Sequence, residues 1–310
     1  MLAFNPLYRE SITMSFLRCT AALAALCALP LLLAADDSPM DAPPMPEPVL
    51  TAINLGLNHH RADMVDPDLA AQGHWWLDAH YAYLSSNRSV DGTGTVGAAA
   101  YASSSQMLLE ARYGLFPALD LGITLGMARQ IQEGLGGSLD TISGAGMTDS
   151  LVTVRWQALN PSRWPVTLSY VLSIGIPTGK PSYADYLGAG SGSSFEDSVL
   201  ALAWDHDDLT LQAQADWQRF LSGNAGSHQG SLGGKLALAK TLADPFQVAA
   251  LIGYGQDLWS DRKGGQLFSG GFDATLRLNA WTAGLGLEWG LAGRSSSLPA
   301  RLSLDAGWAY

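Results

Sequence analysis

The sequence predicts an all-β protein, a transmembrane antiparallel up-and-down β-barrel of about 12 strands, preceded by a signal peptide and a short periplasmic segment. Three observations lead to this fold. Apolar and polar side chains alternate with a period of two from residue 73 onward, tight turns alternate with long loops, and the chain ends on an aromatic strand. Only 15% of the 310 residues are charged, against about 25% in an average soluble domain.

The first element is a secretory signal peptide over residues 1–35. Arg18 provides a basic start, residues 21–33 an apolar core, and Ala34–Ala35 a cleavage site of small residues. This apolar run is too short for a comfortable transmembrane helix. We expect translation to start at Met14 and the mature chain to begin after residue 35.

Charge and cysteine content of the mature chain restrict its chemistry. Both cysteines, Cys19 and Cys27, lie in the signal peptide, so no disulfide, thiolate metal site or cysteine nucleophile is expected. Cleavage leaves 15 basic and 27 acidic residues, a net charge of about −12. Because binding to phosphates needs basic surface, this charge argues against nucleic acid as a partner.

Residues 36–72 form the second region, a periplasmic segment. Residues 36–50 are rich in proline and acidic side chains, which is typical of a disordered linker. An even number of strands returns both barrel termini to the periplasm, where this segment would hang or enter the barrel as a plug. His59 and His60 stand near three aspartates, but adjacent histidines in an extended chain do not easily meet one ion. No metal and no organic cofactor is expected.

The third region, residues 73–310, contains twelve candidate strands. In the first, Trp75, Leu77 and Ala79 fall on one face, while Asp78 and His80 fall on the other. Each strand is about long enough, when tilted, to cross a bilayer. The candidate strands span residues 74–84, 105–115, 119–128, 150–158, 166–177, 196–205, 209–220, 231–242, 246–257, 270–280, 282–291 and 299–310.

The connections alternate in length. Tight turns such as "FPA", "HDD" and "ADP" join every second pair of strands, and the remaining linkers are longer and rich in Gly and Ser. Short periplasmic turns and long extracellular loops are the layout of a bacterial outer-membrane barrel. The long linkers are predicted near residues 86–103, 129–148, 178–195, 221–230, 258–269 and 292–298.

A soluble sandwich or lipocalin-like barrel, with its apolar face turned inward, is the alternative. The polar faces, however, carry Gly, Ser, Thr, Gln and mixed charges and almost none of the Lys and Glu that coat soluble strands. Aromatic residues of the apolar face also cluster at two levels, as at the two interfaces of a membrane. Those near the turns are Trp75, Tyr113, Trp156, Trp204, Phe246 and Trp308, and those near the loops are Tyr83, Trp217, Tyr254 and Trp289.

The chain stops in mid-alternation on Tyr310. A barrel in lipid must pair its last strand with its first, because open backbone edges cannot face hydrocarbon. A closing strand of this kind places Tyr310 at the periplasmic aromatic ring.

Four segments in order resemble one family of outer-membrane barrels: "ARYGLFPALDLGI" (111–123), "GAGMTDSLVTVRWQAL" (144–159), "LSYVLSIGIPTGKPS" (168–182) and "LGAGSGSSFEDSVLALAW" (187–204). The pattern is similar to the outer-membrane transporters of the phenol meta-degradation pathway type and to related barrels. In this chain Met147 and Thr148 precede Asp149, a departure from the family's simpler glycine-aspartate loop. The resemblance implies passage of hydrophobic or aromatic compounds, and recognition of the terminal aromatic strand by the outer-membrane assembly machinery.

The lumen face holds the candidate functional residues. These charged side chains either form a polar conduit that sets charge preference or pair across strands and fill a narrow barrel. Glu110 and Arg112 beside Asp120 are expected to form such a pairing network. The inward candidates for a lumen or selectivity role are Asp78, His80, Glu110, Arg112, Asp120, Arg155, Asp216, Lys235, Arg277, Glu288, Arg301 and Asp305.

These observations predict a non-enzymatic channel in the outer membrane of a Gram-negative bacterium, surrounded by lipid and lipopolysaccharide. We expect small, hydrophobic or aromatic molecules to diffuse through it passively, by the lumen or a lateral opening. One alternative is a lipid- or lipopolysaccharide-modifying hydrolase, in which Asp78 and His80 with a serine would mimic a catalytic triad. Another is a structural barrel with a filled lumen.

Overall fold

The computed structural model describes residues 69–133, 141–159, 166–180, 187–223, 228–260, 264–278 and 280–310. The predicted signal peptide, and all but the last four residues of the segment 36–72, lie outside the described residues.

Antiparallel strands make up nearly all of the described chain. They are β1 Trp75–Val90, β2 Val96–Phe116, β3 Leu119–Gln132, β4 Ile142–Met147, β5 Ser150–Leu159, β6 Val166–Ile176, β7 Ser193–His206, β8 Leu209–Gly223, β9 His228–Ala243, β10 Phe246–Trp259, β11 Gln266–Leu278, β12 Trp281–Arg294, β13 Ser296–Ser297 and β14 Ala300–Ala309. Among the described residues, no helix has the length and apolarity needed to cross a membrane.

The sheet closes on itself. Neighbours in sequence pair in order from β5 to β12, β12 pairs with β14, and β14 pairs with β1, which also pairs with β2. The short β4 and β5 both pair with β3 and form one interrupted strand, whereas β13 is a two-residue extension against the end of β1. The predicted barrel of twelve antiparallel strands is therefore confirmed.

The outer surface is apolar. Large side chains that alternate along each strand are exposed, among them Leu125 at 45%, Ile252 at 60% and Leu285 at 45% of their surface. Their neighbours in sequence point into the lumen, and many of these are buried polar residues such as Thr124. A soluble protein of this size does not expose a continuous apolar belt, so this surface fits a bilayer.

Several strands run farther than the sequence predicts. β1 and β2 continue to Val90 and from Val96, and β4 lies inside the predicted loop 129–148. Beyond the apolar belt the outer face of a strand meets water instead of lipid. The backbone therefore keeps its ladder of hydrogen bonds while the apolar alternation that marks a strand disappears. The predicted loops at these places are shorter than expected.

The two ends of the barrel differ in their connections. The turn end carries the short turns at 117–118, 207–208 and 244–245, together with Tyr310. The loop end carries the longer connections. At the turn end the chain enters through Ala70–His74, which lies against the inner face of Gly114: a Cβ added to Gly114 would be 2.2 Å from the carbonyl oxygen of Ala71.

Candidate functional site: the barrel lumen

A cavity of about 450 Å³ occupies the lumen. Its walls come from every full-length strand of the barrel, so it lies along the barrel axis. The predicted residues that line it are Asp78, His80, Glu110, Arg112, Arg155, Asp216, Arg277 and Asp305. Asp120, Lys235, Glu288 and Arg301 also project from lumen faces but do not line this cavity.

One side of the lumen is filled by four buried charged residues on β2, β3 and β5. The Arg155 guanidinium donates hydrogen bonds to Glu110 at 3.2 and 3.3 Å and lies 4.0 Å from Asp120. Arg112 lies 3.7 Å from Asp120 and 3.9 Å from Glu110. Two acids and two bases thus balance within one cluster, called the charge cluster below. The expected pairing of Glu110, Arg112 and Asp120 is confirmed, and Arg155 completes it.

The entering chain covers this charge cluster from the turn end. The backbone N–H of Ala70 donates a hydrogen bond of 3.0 Å to Asp120, whose side chain is fully buried. The Arg112 guanidinium lies 5.1 Å from the centre of the Trp76 ring, an attractive arrangement of a cation over an aromatic face. The charge cluster therefore belongs to the packed wall.

The other side of the lumen is lined by small side chains. Ala237 and Ala239 on β9, Ala249 on β10, and Gly284 and Gly286 on β12 all face the cavity. Because these residues fill little space, the cavity reaches this wall, as it reaches the charge cluster on the opposite side. The lumen thus contains both a packed charge cluster and an open cavity.

An ion pair crosses the wall formed by β8–β12 and β14, which is called the open wall below. Lys235 on β9 reaches Glu288 on β12 at 2.8 Å, although β10 and β11 lie between them. Gly253 and Gly271 on these two strands have no side chains to obstruct the crossing; a Cβ at Gly271 would lie 3.0 Å from Cα of Glu288. The ion pair consequently lies flat on the wall.

His80 is held at both ring nitrogens. Its Nδ1 bonds to Asp305, and its Nε2 lies 3.2 Å from the Arg301 guanidinium. Since a guanidinium only donates, Nε2 accepts and Nδ1 carries the hydrogen donated to Asp305. A serine hydroxyl would need that Nε2 position for a catalytic triad.

Arg277 differs from the other predicted cations. Its side chain is exposed at the turn end of β11 and lines the cavity, and within the described chain no acidic residue forms an ion pair with it. Arg112 and Arg155 are, in contrast, 3% and 1% exposed. Of the lumen cations, Arg277 is the one best placed to meet a passing ion.

Asp149 organises the loop end. Its carboxylate accepts hydrogen bonds from the Gly179 N–H at 3.1 Å and from the N–H and hydroxyl of Ser191 at 2.7 and 2.6 Å. Thr178 adds a bond to the carbonyl of Thr148 at 3.1 Å. Three of the segments that resemble the family therefore meet at one carboxylate, which holds the connection between β6 and β7.

The described end of that connection, from residue 187 onward, lies inside the barrel. The inward-facing Gln130 donates a bond of 2.9 Å to the carbonyl of Gly188. Leu187 and Phe195 are 1% and 0% exposed. A loop predicted to lie outside thus narrows the loop-end half of the lumen from within.

Four rings form an inward aromatic ladder on neighbouring strands. Phe195 and Phe220 have centroids 6.1 Å apart, Phe220 and His228 5.2 Å, and His228 and Trp259 4.5 Å. Asp257 lies 3.6 Å from the His228 ring. Sequence reasoning counted only the outward aromatics and missed this ladder, although the odd numbering of Phe195 and Trp259 within their strands already placed both on the inner face.

Comparisons with known proteins show the fold. No family model matches the chain, and no curated protein matches it. An outer-membrane channel from Pseudomonas putida F1 superimposes with a TM-score of 0.69 at 17% identity, covering 80% of this chain and 99% of that one. The monoaromatic hydrocarbon channel CymD covers 77% of this chain at 9% identity, with a TM-score of 0.41. The KdgM porin covers 74% at 9% identity, with a TM-score of 0.43. The first likeness shows an outer-membrane type of barrel.

Proposed function

We propose that this protein is a passive channel in the outer membrane of a Gram-negative bacterium, with its turn end in the periplasm. The observation that carries the proposal is the open space along the lumen, a cavity of about 450 Å³ inside a closed barrel with an apolar exterior. A barrel whose role is structural would have no need to leave this volume beside small side chains.

The cavity favours cations over anions. Six acidic and three basic side chains are among the described residues that line it. Arg112 and Arg155 are neutralised within the charge cluster, which leaves Arg277 as the exposed positive charge of the conduit. Charged lining residues set ion preference at close range, so the excess of carboxylates attracts cations.

Hydrophobic or aromatic molecules are the proposed physiological solutes. The family resemblance implies them, and the inward aromatic ladder of Phe195, Phe220, His228 and Trp259 supports them, since aromatic faces bind flat apolar rings. A solute would pass along the ladder and then through the lumen cavity. Exit through the wall is the second route, and β4 is a candidate for it because it pairs with β3 alone among the described strands.

Single-channel recording tests the proposal. Residues 36–310, refolded in detergent and inserted into a planar bilayer, should give discrete conductance steps with a reversal potential that favours cations. Arg277→Ala should shift the reversal potential further toward cations. A correctly folded protein that remains silent in repeated insertions, both with and without residues 36–68, would refute a conducting lumen.

Uptake measurements test transport of aromatic solutes separately from ion conduction. Proteoliposomes are loaded with a fluorophore that an aromatic solute quenches, and the rate of quenching is compared with that of protein-free vesicles. Substitution of Phe220 and Trp259 by Leu should slow uptake of an aromatic solute and leave KCl conductance unchanged. If the wild-type protein shows normal conductance but uptake at the protein-free rate, transport of aromatic solutes is refuted and the ion channel stands.

The surroundings of His80 do not support the hydrolase alternative. Both nitrogens of His80 are engaged, by Asp305 and by the Arg301 guanidinium, so Nε2 is not presented to a serine. Release of fatty acid from lipopolysaccharide in detergent, lost on His80→Ala, would establish the enzyme instead.

We further propose that the segment 36–68 acts as a plug. Ala70–His74 already lies inside the turn end, and the bridge between Gln72 and Gly114 is parallel. Since β2 runs toward the turn end, the chain at Gln72 runs in the same direction, from the lumen outward. Deleting residues 36–68 should raise conductance, and an unchanged conductance would exclude a plug.

A further inference from the structure

The open wall carries a repeated arrangement of aspartate and glycine. On three pairs of adjacent strands, an inward aspartate extends sideways over a glycine of its neighbour: Asp216 over Gly233, Asp273 over Gly286, and Asp305 over Gly284. All three aspartates line the cavity.

The distances show that the carboxylates occupy the space of the missing side chains. A Cβ at Gly286 would lie 2.6 Å from Oδ1 of Asp273 and 2.3 Å from Oγ of Ser303. A Cβ at Gly233 would lie 2.5 Å from Oδ2 of Asp216. Carbon and oxygen atoms that are not bonded do not approach this closely, so either group excludes the other.

The register explains why these positions meet. Asp273 and Gly286 are direct partners between β11 and β12, and Gly286 is in turn the partner of Ser303 on β14. Side chains of directly opposed residues point to the same face of a sheet and lie about 5 Å apart. An inward aspartate can therefore lie flat only where its partner has no side chain.

We propose that Gly233 and Gly286 are positioning residues that determine the bore of the channel. Each provides a space in which an aspartate lies against the wall instead of projecting toward the axis. The inference rests on the proposed function, since bore matters only in a conduit. A side chain at one of these glycines displaces the neighbouring carboxylate into the cavity, where it narrows the path.

Conductance of Gly286→Ala is the first test. The atoms that a Cβ would meet are the ends of two short side chains, which can rotate away, so the variant should fold. We expect a lower unitary conductance than that of the wild type, and recovery of conductance when Asp273→Ala is added. Gly255→Ala is the matched control, because Gly255 also faces inward on this wall and its Cβ would have nothing within 4 Å.

A second measurement does not depend on conduction. Because residues 36–310 contain no cysteine, Asp273→Cys creates a single thiol whose reaction with a water-soluble thiol reagent reports exposure to the lumen. Labelling should be faster in Gly286→Ala/Asp273→Cys than in Asp273→Cys, and unchanged in Gly255→Ala/Asp273→Cys.

The outcomes are distinguishable. If wild type conducts and Gly286→Ala conducts equally, or if Asp273→Ala fails to restore the lost conductance, the positioning role is wrong while the channel stands. If the folded protein is silent both with and without residues 36–68, the channel is refuted and no bore remains for the glycines to set. Equal labelling of Asp273→Cys with and without Gly286→Ala would likewise overturn the displacement.

Discussion

Replacing Arg155 by Met should destabilise the barrel strongly. Met keeps much of the side-chain volume and removes only the charge. The guanidinium is 1% exposed and lies 3.2 Å from Glu110 and 4.0 Å from Asp120. At an effective dielectric constant of about 20, the contact with Glu110 alone corresponds to about 5 kcal/mol of Coulomb attraction.

The net effect is smaller because burying Arg155 also costs hydration. Removing one partner of a buried ion pair typically costs about 3–5 kcal/mol, since the remaining charge stays buried without compensation. In Arg155→Met, Arg112 alone would face both Glu110 and Asp120. We therefore expect the free energy of unfolding to fall by about 3–5 kcal/mol.

Equilibrium unfolding in urea, followed by tryptophan fluorescence of protein refolded into lipid vesicles, measures this loss. Arg277→Met is the matched control: its charge is exposed at the turn end, and its unfolding free energy should stay within about 0.5 kcal/mol of the wild type. Adding Glu110→Gln to Arg155→Met should recover part of the loss, because it removes the uncompensated charge. A loss of less than about 1 kcal/mol in Arg155→Met would refute the reasoning, because pairs solvated by water contribute that little.

Three further changes probe other parts of the molecule. Asp149→Ala removes three hydrogen bonds at about 1.5–3 kcal/mol each, so faster amide exchange is expected at Gly179 and Ser191. Unchanged exchange would contradict the role of Asp149 in holding the connection between β6 and β7. Tyr310→Ser should lower the yield of folded barrel in the outer membrane of cells. Folding in synthetic vesicles should stay intact, since the Tyr310 side chain is 74% exposed. Equal yields of variant and wild type in cells would exclude recognition of this residue by the assembly machinery. At the turn between β1 and β2, hydrogen bonds from the Thr93 hydroxyl and from the N–H groups of Thr95 and Thr93 lower the pKa of Asp91. A carboxylate with a lowered pKa stabilises the fold above its unfolded pKa and loses this effect as the pH falls through the folded pKa. The amides of Thr93 and Thr95 should therefore stay protected from hydrogen exchange at pH values below the usual titration range of aspartate. Loss of protection within that range would contradict the hydrogen bonds assigned to Asp91.

The fold could be predicted from the sequence because a barrel in lipid obeys a local rule. Every residue that faces lipid must be apolar and every neighbour faces inward, so strands such as β3 and β14 show their orientation in ten consecutive residues. The inward direction of Asp78, His80 and Arg277 follows from this alternation alone. The strand order follows from the closed antiparallel topology and the short turns.

Positions where the alternation fails could not be predicted in this way. β4 has one large apolar residue on each face, Ile142 and Met147, with only glycine, serine and alanine between them, so its sequence carries no apolar alternation. The inward path of the loop that ends at Ser193 depends on Asp149, which lies 42 residues from Ser191 in sequence. Hydrogen bonds between distant loops leave no local pattern.

Alternation along the strands therefore shows which residues face the lumen, whereas the role of each inward residue depends on the closed barrel. Alternation places Arg112 and Arg277 on the same inner surface, but it contains no information about the angle around the barrel axis or the depth along it. Those two coordinates are set by strand stagger and closure. The stagger and closure of the strands bury Arg112 among Glu110, Asp120 and the ring of Trp76. They leave Arg277 exposed on the wall of the lumen cavity.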